Sequence, residues 1–389
     1  MREIGVDERR ARLVSRHLLL KPATTVEDAA AALIGLHSSD PASVYLSAWA
    51  RVKRFAVGGL EAALYDRRSL VRMLGMRRTM FVVPVDVAAI MDAACARSLA
   101  AKERRRLVGM LEQQAIAEDA ATWLDHVEAR TLSALKARGE ATASQLSRDV
   151  PELAARLTVG EGRKWAGTMG VSTRVLFLLA TEGRILRGRP LGSWTSTQYR
   201  WAPTETWLPG GLPRLESVPA REALLRRWLA RFGPGTEADI RWWTGWAAVY
   251  ARSALREIDA VEVGLDGTVG YVLSDDVDTR PAKGRRAVLL PSLDATVMGW
   301  KEREWYLGRH GGPLFDRNGN AGPTVWVDGR IVGGWGQRSD GRVATRLLEP
   351  VDSEAEGMVE VEASRLTDWL SGTRVTPRFR TPIETELAR

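Results

Sequence analysis

Residues 36–41 read LHSSDP, so His37, Ser39 and Asp40 place an imidazole, a hydroxyl and a carboxylate within four positions. An imidazole beside a carboxylate can hold or deprotonate a water, and the carboxylate can orient the ring or stabilise a cation forming nearby. Such a trio suits attack by one placed water on a sugar carbon. The same residues also read as a joint between helices. Asp40 is a good N-cap, and Pro41 is favoured at a first helical position because its missing N–H is not needed there. His37 follows Leu33 by four residues, so its ring can equally face an apolar interior. On the residues alone Asp40 is cap, carboxylate or both.

Other chemistries find little support. The four histidines are dispersed, there is one cysteine (Cys95), and HExxH is absent, so no metal is expected. GEGRKWAG lacks phosphate-loop spacing and its closing GK[ST]. GGWG at 333–336 ends a strand pattern with no helix after it, so no dinucleotide or other cofactor is expected. A lone cysteine and a charged N-terminus without a signal-type core point to the cytoplasm, and no apolar run reaches a membrane span.

The elements that must carry these residues follow from patterning over 389 residues. The expected class is α+β: three tandem winged-helix domains and a small C-terminal β-barrel, joined by helical segments. In the first (1–84), helices at 7–18, from Thr25 and from Asp40 precede the strand pattern RRTMFVVP. Residues 85–120 form a helical linker. The second (121–204) has helices in ATWLDHVEARTLSALKARG, EATASQLSRDVPELA and TRVLFLLATEGRI before a Gly-, Ser- and Pro-containing hairpin. The third (219–280) ends in a hairpin turning at Asp266-Gly267. Beyond 284, short strands including MVEVEA suggest the barrel or a compact sheet, and the last residues a tail frayed or laid over another domain.

Net charge +8 and pI about 9.9 favour an acidic partner, nucleic acid first and an anionic membrane second, although arginine preference also fits high-GC coding. The richest basic stretch is 184–201. Arg184, Arg187, Arg189 and Arg200 flank Trp194 and Tyr199, a set able to contact phosphates and to stack or wedge. The plain alternative is a wing whose aromatics pack inward. Arg77 and Arg78 stand near the first hairpin, and Lys164 and Trp165 lie in GRKWAGTMG. KERRR at 102–106 spans more than one helix face. Most of the fifteen tryptophans are expected in cores, with one of WWTGW exposed or at a contact.

LIGLHSSDPASVYLSAWARV, RSLVRMLGMRRTMFVVP, STRVLFLLATEGRI, LLPSLDATVMGW and PTVWVDGRIVGGW together resemble the AlkZ/YcaQ family of bacterial winged-helix DNA glycosylases, over almost the whole chain. The resemblance implies excision of bulky N7-alkylated purines from double-stranded DNA, in some members with crosslink unhooking. It places a Gln-x-Gln or Gln-x-Asp motif on His37, Ser38 and Ser39, so His37 replaces the first Gln and Ser39 the second Gln or Asp. On that reading His37 positions or activates water, and Ser39 or Asp40 orients the ring or stabilises the sugar cation. A monomer is expected. The competing reading is a non-catalytic winged-helix DNA binder or regulator.

Overall fold

The computed structural model describes residues 1–163, 166–279, 281–282 and 284–389. Its first unit runs helix Val26–Ala32, strand Leu36–His37, helix Pro41–Trp49, helix Val57–Glu61 continuing as a π turn, then strands Leu70–Leu74 and Met80–Pro84. Thr25 Oγ1 accepts from the Asp28 N–H at 3.1 Å, as a threonine before an acidic first turn should. The order helix, helix, helix, hairpin recurs twice. Helices Ala120–Arg138, Ala143–Asp149 and Val171–Thr181 precede strands Ile185–Pro190 and Tyr199–Pro203. Helices Ser217–Phe232, Glu237–Thr244 and Ala248–Glu257 precede strands Val261–Leu265 and Thr268–Val272. Capping boxes at Thr142/Gln145 and Thr236/Asp239 begin the middle helix of each set. Asp266 and Gly267 both take positive φ, which a two-residue turn between twisted strands requires.

Three features depart from the sequence expectations. The first two hairpins do not stand apart as separate wings. They share one five-stranded sheet, ordered Leu36–His37, Met80–Pro84, Leu70–Leu74, Ile185–Pro190, Tyr199–Pro203, with Arg72 paired to Arg187 where they join. A further hairpin, Arg156–Val159 with Gly167–Gly170, falls inside the stretch between two helices. The C-terminal strands form an open antiparallel sheet, Ala287–Leu290, Thr324–Val327, Arg330–Gln337, Val343–Leu347, in place of a barrel.

MVEVEA is helical, within Ser353–Leu370. Its alternation mimics a strand over six residues. The longer period wins, because Ala355, Val359, Ala363, Leu366 and Leu370 are buried at helical spacing and Asp352 caps the start. That helix packs on both edge strands, covering the sheet where closure was expected. The tail forms helix Pro382–Leu387 against strand Arg330–Gln337.

Residue Arg2 of a short N-terminal strand pairs in parallel with Val263 of the third hairpin. Trp228, Phe232, Trp243 and Trp300 form one aromatic cluster in the largest core, with neighbouring centroids 5.3 to 6.4 Å apart. Within WWTGW, Trp243 and Trp246 are buried and Trp242 is half-buried. Among the described residues no helix is long and apolar enough to cross a membrane.

Candidate active site

His37 is placed by the shortest strand of the five-stranded sheet. Leu36 pairs with Val82 and His37 with Phe81, and the Ser38 N–H donates to the Met80 carbonyl at 2.8 Å. Gly35 makes this approach possible, since a Cβ there would lie 2.6 Å from Val83 Cγ1. The imidazole meets the Phe81 ring edge-on at 5.5 Å. It lines a cavity of about 90 Å³ with Arg77, Thr79, Trp243, Met298 and Asn320. Burial pushes the ring's pKa down to about 4; the Asp294 carboxylate opposes this, and Arg77 adds to it. The ring is therefore neutral at neutral pH, with a buried, unpartnered Nδ1.

Two neighbours shape the polar side of the cavity. Arg77 occupies the left-handed region, φ 55°, in the turn between Leu70–Leu74 and Met80–Pro84. Its guanidinium lies 4.1 Å from the Trp242 ring centroid, and burial with Arg303 nearby lowers its pKa. Arg78 turns away, to Glu103 at 3.4 Å and the Phe177 ring at 5.0 Å. Asn320 comes from the loop after residue 315, where Asp316 Oδ2 holds its amide nitrogen at 2.9 Å. Of the two asparagines in DRNGNAGP, nothing in the sequence marked Asn320 for this role.

Asp40 belongs to another recess, beside Trp335, Gln337 and Pro377. Its Oδ1 accepts from the Ala42 N–H at 3.1 Å, capping helix Pro41–Trp49, and its Oδ2 accepts from the Arg378 N–H at 2.9 Å. Burial raises its pKa against these hydrogen bonds. The imidazole–carboxylate pair allowed by the spacing does not form, because the capping geometry aims the carboxylate along the helix and the tail occupies its second oxygen. The Ser39 carbonyl accepts from Arg378 Nη1 at 3.4 Å. Asp40→Ala should cost about 1–2 kcal/mol in urea unfolding, as loss of a cap does. Per folded molecule, any base release should be retained; a hundredfold loss would return the carboxylate to the chemistry.

The carboxylate whose field reaches His37 is Asp294, within LLPSLDATVMGW. It is wholly buried and forms a two-pronged pair with Arg51, Oδ1 to Nη2 at 2.7 Å and Oδ2 to Nη1 at 2.9 Å. Ser47 Oγ donates to Oδ2 at 2.7 Å and the Thr296 N–H to Oδ1 at 2.9 Å. Burial alone would raise its pKa, but the charge of Arg51 and these donors hold it below the ordinary value. A single acid between apolar runs was its only signal in the sequence. Cys95, by contrast, is buried with its thiol pushed up to about 12 by burial, which leaves it unreactive.

Residues 30–369 match the family model described as "DNA glycosylase AlkZ-like". The chain belongs to the AlkZ-like family. Its fold is similar to that of a solved structure, Streptomyces sahachiroi DNA glycosylase AlkZ, with a TM-score of 0.70 and 18% identity over 94% of this chain and 97% of that one. No curated protein matches the sequence.

In this AlkZ-like chain the basic hairpin 185–203 is largely engaged with its own fold. Arg184 pairs with Glu128 at 3.2 Å and Glu182 at 3.6 Å. Arg189 pairs with Glu61 at 3.1 Å and Asp66 at 3.4 Å and lies over Tyr65. Trp194 turns inward, 5.1 Å from Tyr45 and 5.6 Å from Trp369. Burial lowers the pKa of Arg187 to about 10, and its guanidinium stacks on Tyr199 and Trp201. Arg200 is half-buried. Arg184, Arg189 and Trp194 thus have partners within the fold, while Arg187 and Tyr199 lie against each other. Lys164 and Trp165 lie outside the described residues.

Proposed function

We propose that this AlkZ-like chain is a monofunctional DNA glycosylase that hydrolyses the N-glycosidic bond of N7-alkylated purines in duplex DNA. The observation that carries the reading is the neutral His37 imidazole in a small cavity with Arg77, Thr79 and Asn320 on its polar side, at the position where the family resemblance puts its first glutamine. N7 alkylation makes the purine cationic, so it departs neutral when the C1′–N9 bond breaks and its electron pair returns to the ring. Water then bonds to C1′ of the sugar cation and must lose a proton.

An imidazole whose conjugate acid has a pKa near 4 is a poor base toward free water but an adequate hydrogen-bond acceptor. It therefore holds the water first and takes its proton once the C–O bond makes that oxygen acidic. The buried Asp294 charge favours the imidazolium so formed. The cavity has room for a water beside the ring.

The direct test is release of modified base from a duplex carrying one N7-alkylguanine, over several adduct sizes. No release by the wild type would overturn the enzyme and leave the non-catalytic DNA binder. The pH profile is a second test. With the ring neutral down to about 4, release should be flat from about pH 5.5 to 8 and fall as pH drops through the ring's pKa. A midpoint near the ordinary histidine value of about 6.5 would show a solvated ring that the cavity does not control.

A further inference from the structure

The register of the five-stranded sheet separates two sets of side chains. His37, Phe81 and Met73 form one cross-strand row; Leu36, Val82, Arg72 and Arg187 form the next, which faces the other side. On that side Arg72 stands in the middle of an apolar strand. It is 3% exposed, and none of its three guanidinium nitrogens has a hydrogen-bond partner. Arg187, directly beside it, has a buried and unpartnered Nε.

Two adjacent buried cations without an anion are unstable company, because burial removes the water that would solvate and screen them. Tyr199 covers part of each charge, its ring centroid 5.0 Å from the Arg72 guanidinium carbon and 4.6 Å from that of Arg187. No carboxylate does so among the described residues. The ionisable groups acting on Arg72 are Tyr65, Tyr199 and Tyr45, and those on Arg187 are Tyr199, Arg72 and Arg378. The acids near this cluster are committed elsewhere, Glu61 to Arg189 and Asp40 to two backbone N–H groups. The buried hydroxyls of Tyr65 and Tyr199 also lack partners of hydrogen-bonding geometry.

We propose that Arg72, Arg187 and Tyr199 form a binding site for a phosphate group. Two planar guanidiniums on neighbouring strands, with the unpartnered hydroxyl of the Tyr199 ring they share, suit a tetrahedral anion with several acceptor oxygens better than a carboxylate or a halide. Arg187 and Tyr199 are half-buried and Arg378 is exposed, with its Nη1 on the Ser39 carbonyl, so the cluster is reached from solvent through Arg187 and Tyr199. The phosphate can come from the DNA backbone or from free phosphate. The inference rests on the charge balance of the sheet and stands apart from the glycosylase reading.

Inorganic phosphate titrated calorimetrically into the full chain, at constant ionic strength, tests it together with undamaged-duplex affinity. Arg187→Gln is the main variant, since a half-buried residue tolerates substitution, and Arg72→Met the second. One saturable phosphate site is expected, about tenfold or more weaker in Arg187→Gln, the usual cost of losing a charged hydrogen bond. If the backbone is the natural source, the same variant weakens duplex binding, lowers its salt slope by about one, and phosphate competes with duplex. If free phosphate is the source, duplex affinity is unchanged while calorimetric binding is lost. Phosphate binding that Arg187→Gln leaves unaltered, or neither phosphate binding nor a change in duplex affinity, would overturn the proposal.

Discussion

His37→Ala is expected to lower the rate of base release by about a hundredfold, the lower end of what a positioned acid–base group contributes. The lower end applies because a ring with a pKa near 4 mainly holds water and takes its proton late. Folding should survive. The ring has one aromatic contact and an unpartnered Nδ1, so its removal leaves space without breaking a hydrogen bond at that nitrogen. His37→Gln separates positioning from basicity. A glutamine amide reaches a similar depth and can hold a water, but it cannot accept the proton. It should keep release within about tenfold of wild type, leaving proton loss to solvent. Single-turnover release at saturating enzyme measures both variants. An alanine variant as fast as wild type would remove His37 from the chemistry, whatever the motif position implies.

Asp294→Ala is expected to destabilise the chain by about 3–5 kcal/mol, the usual consequence of leaving one partner of a buried ion pair alone. Arg51 would keep its charge at 0% side-chain exposure, with only the His17 and Ser47 carbonyls, the Ser47 hydroxyl and Thr296 to meet it. The His17 ring adds no opposing charge, since its only charged form is itself a cation. Burial and then the charge of Arg51 hold it neutral, with a pKa of about 3. Arg51→Met combined with Asp294→Leu should recover most of the loss, since a packed apolar pair avoids both desolvation costs. Urea unfolding of the two single variants and the double variant gives the coupling directly. A loss below about 1 kcal/mol in Asp294→Ala would mean that water reaches Arg51 and that the pair is not sealed.

Most individual elements were legible because their signals are local. Thr25 and Asp40 both stand at helix starts, and Asp266-Gly267 turns a hairpin. What was illegible depends on partners distant in the chain. Nothing near Arg72 announces that its strand will pair with one containing Arg187. Nothing near Asp294 announces Arg51, which is 243 positions away. In the hairpin at 185–203, Arg189 and Trp194 meet Glu61 and Trp369, partners too distant in the chain to leave a mark beside them in the sequence. In LHSSDP the residue types suggested His37 with Asp40, but the cap and the Arg378 N–H took the carboxylate. The field at the imidazole comes instead from the far end of the chain.

The shared sheet also acts as a ruler. Strand Leu36–His37 is one edge of a five-strand plate and strand Tyr199–Pro203 is the other. At about 4.8 Å per strand step, four steps separate the edges by roughly 19 Å. Hydrogen-bonded strands do not slide past one another on the time scale of a binding event. A nucleic acid gripped at the outer edge would therefore meet His37 at a set offset along its backbone. Geometry counted in strands, rather than a hinge between domains, would decide which sugar is presented.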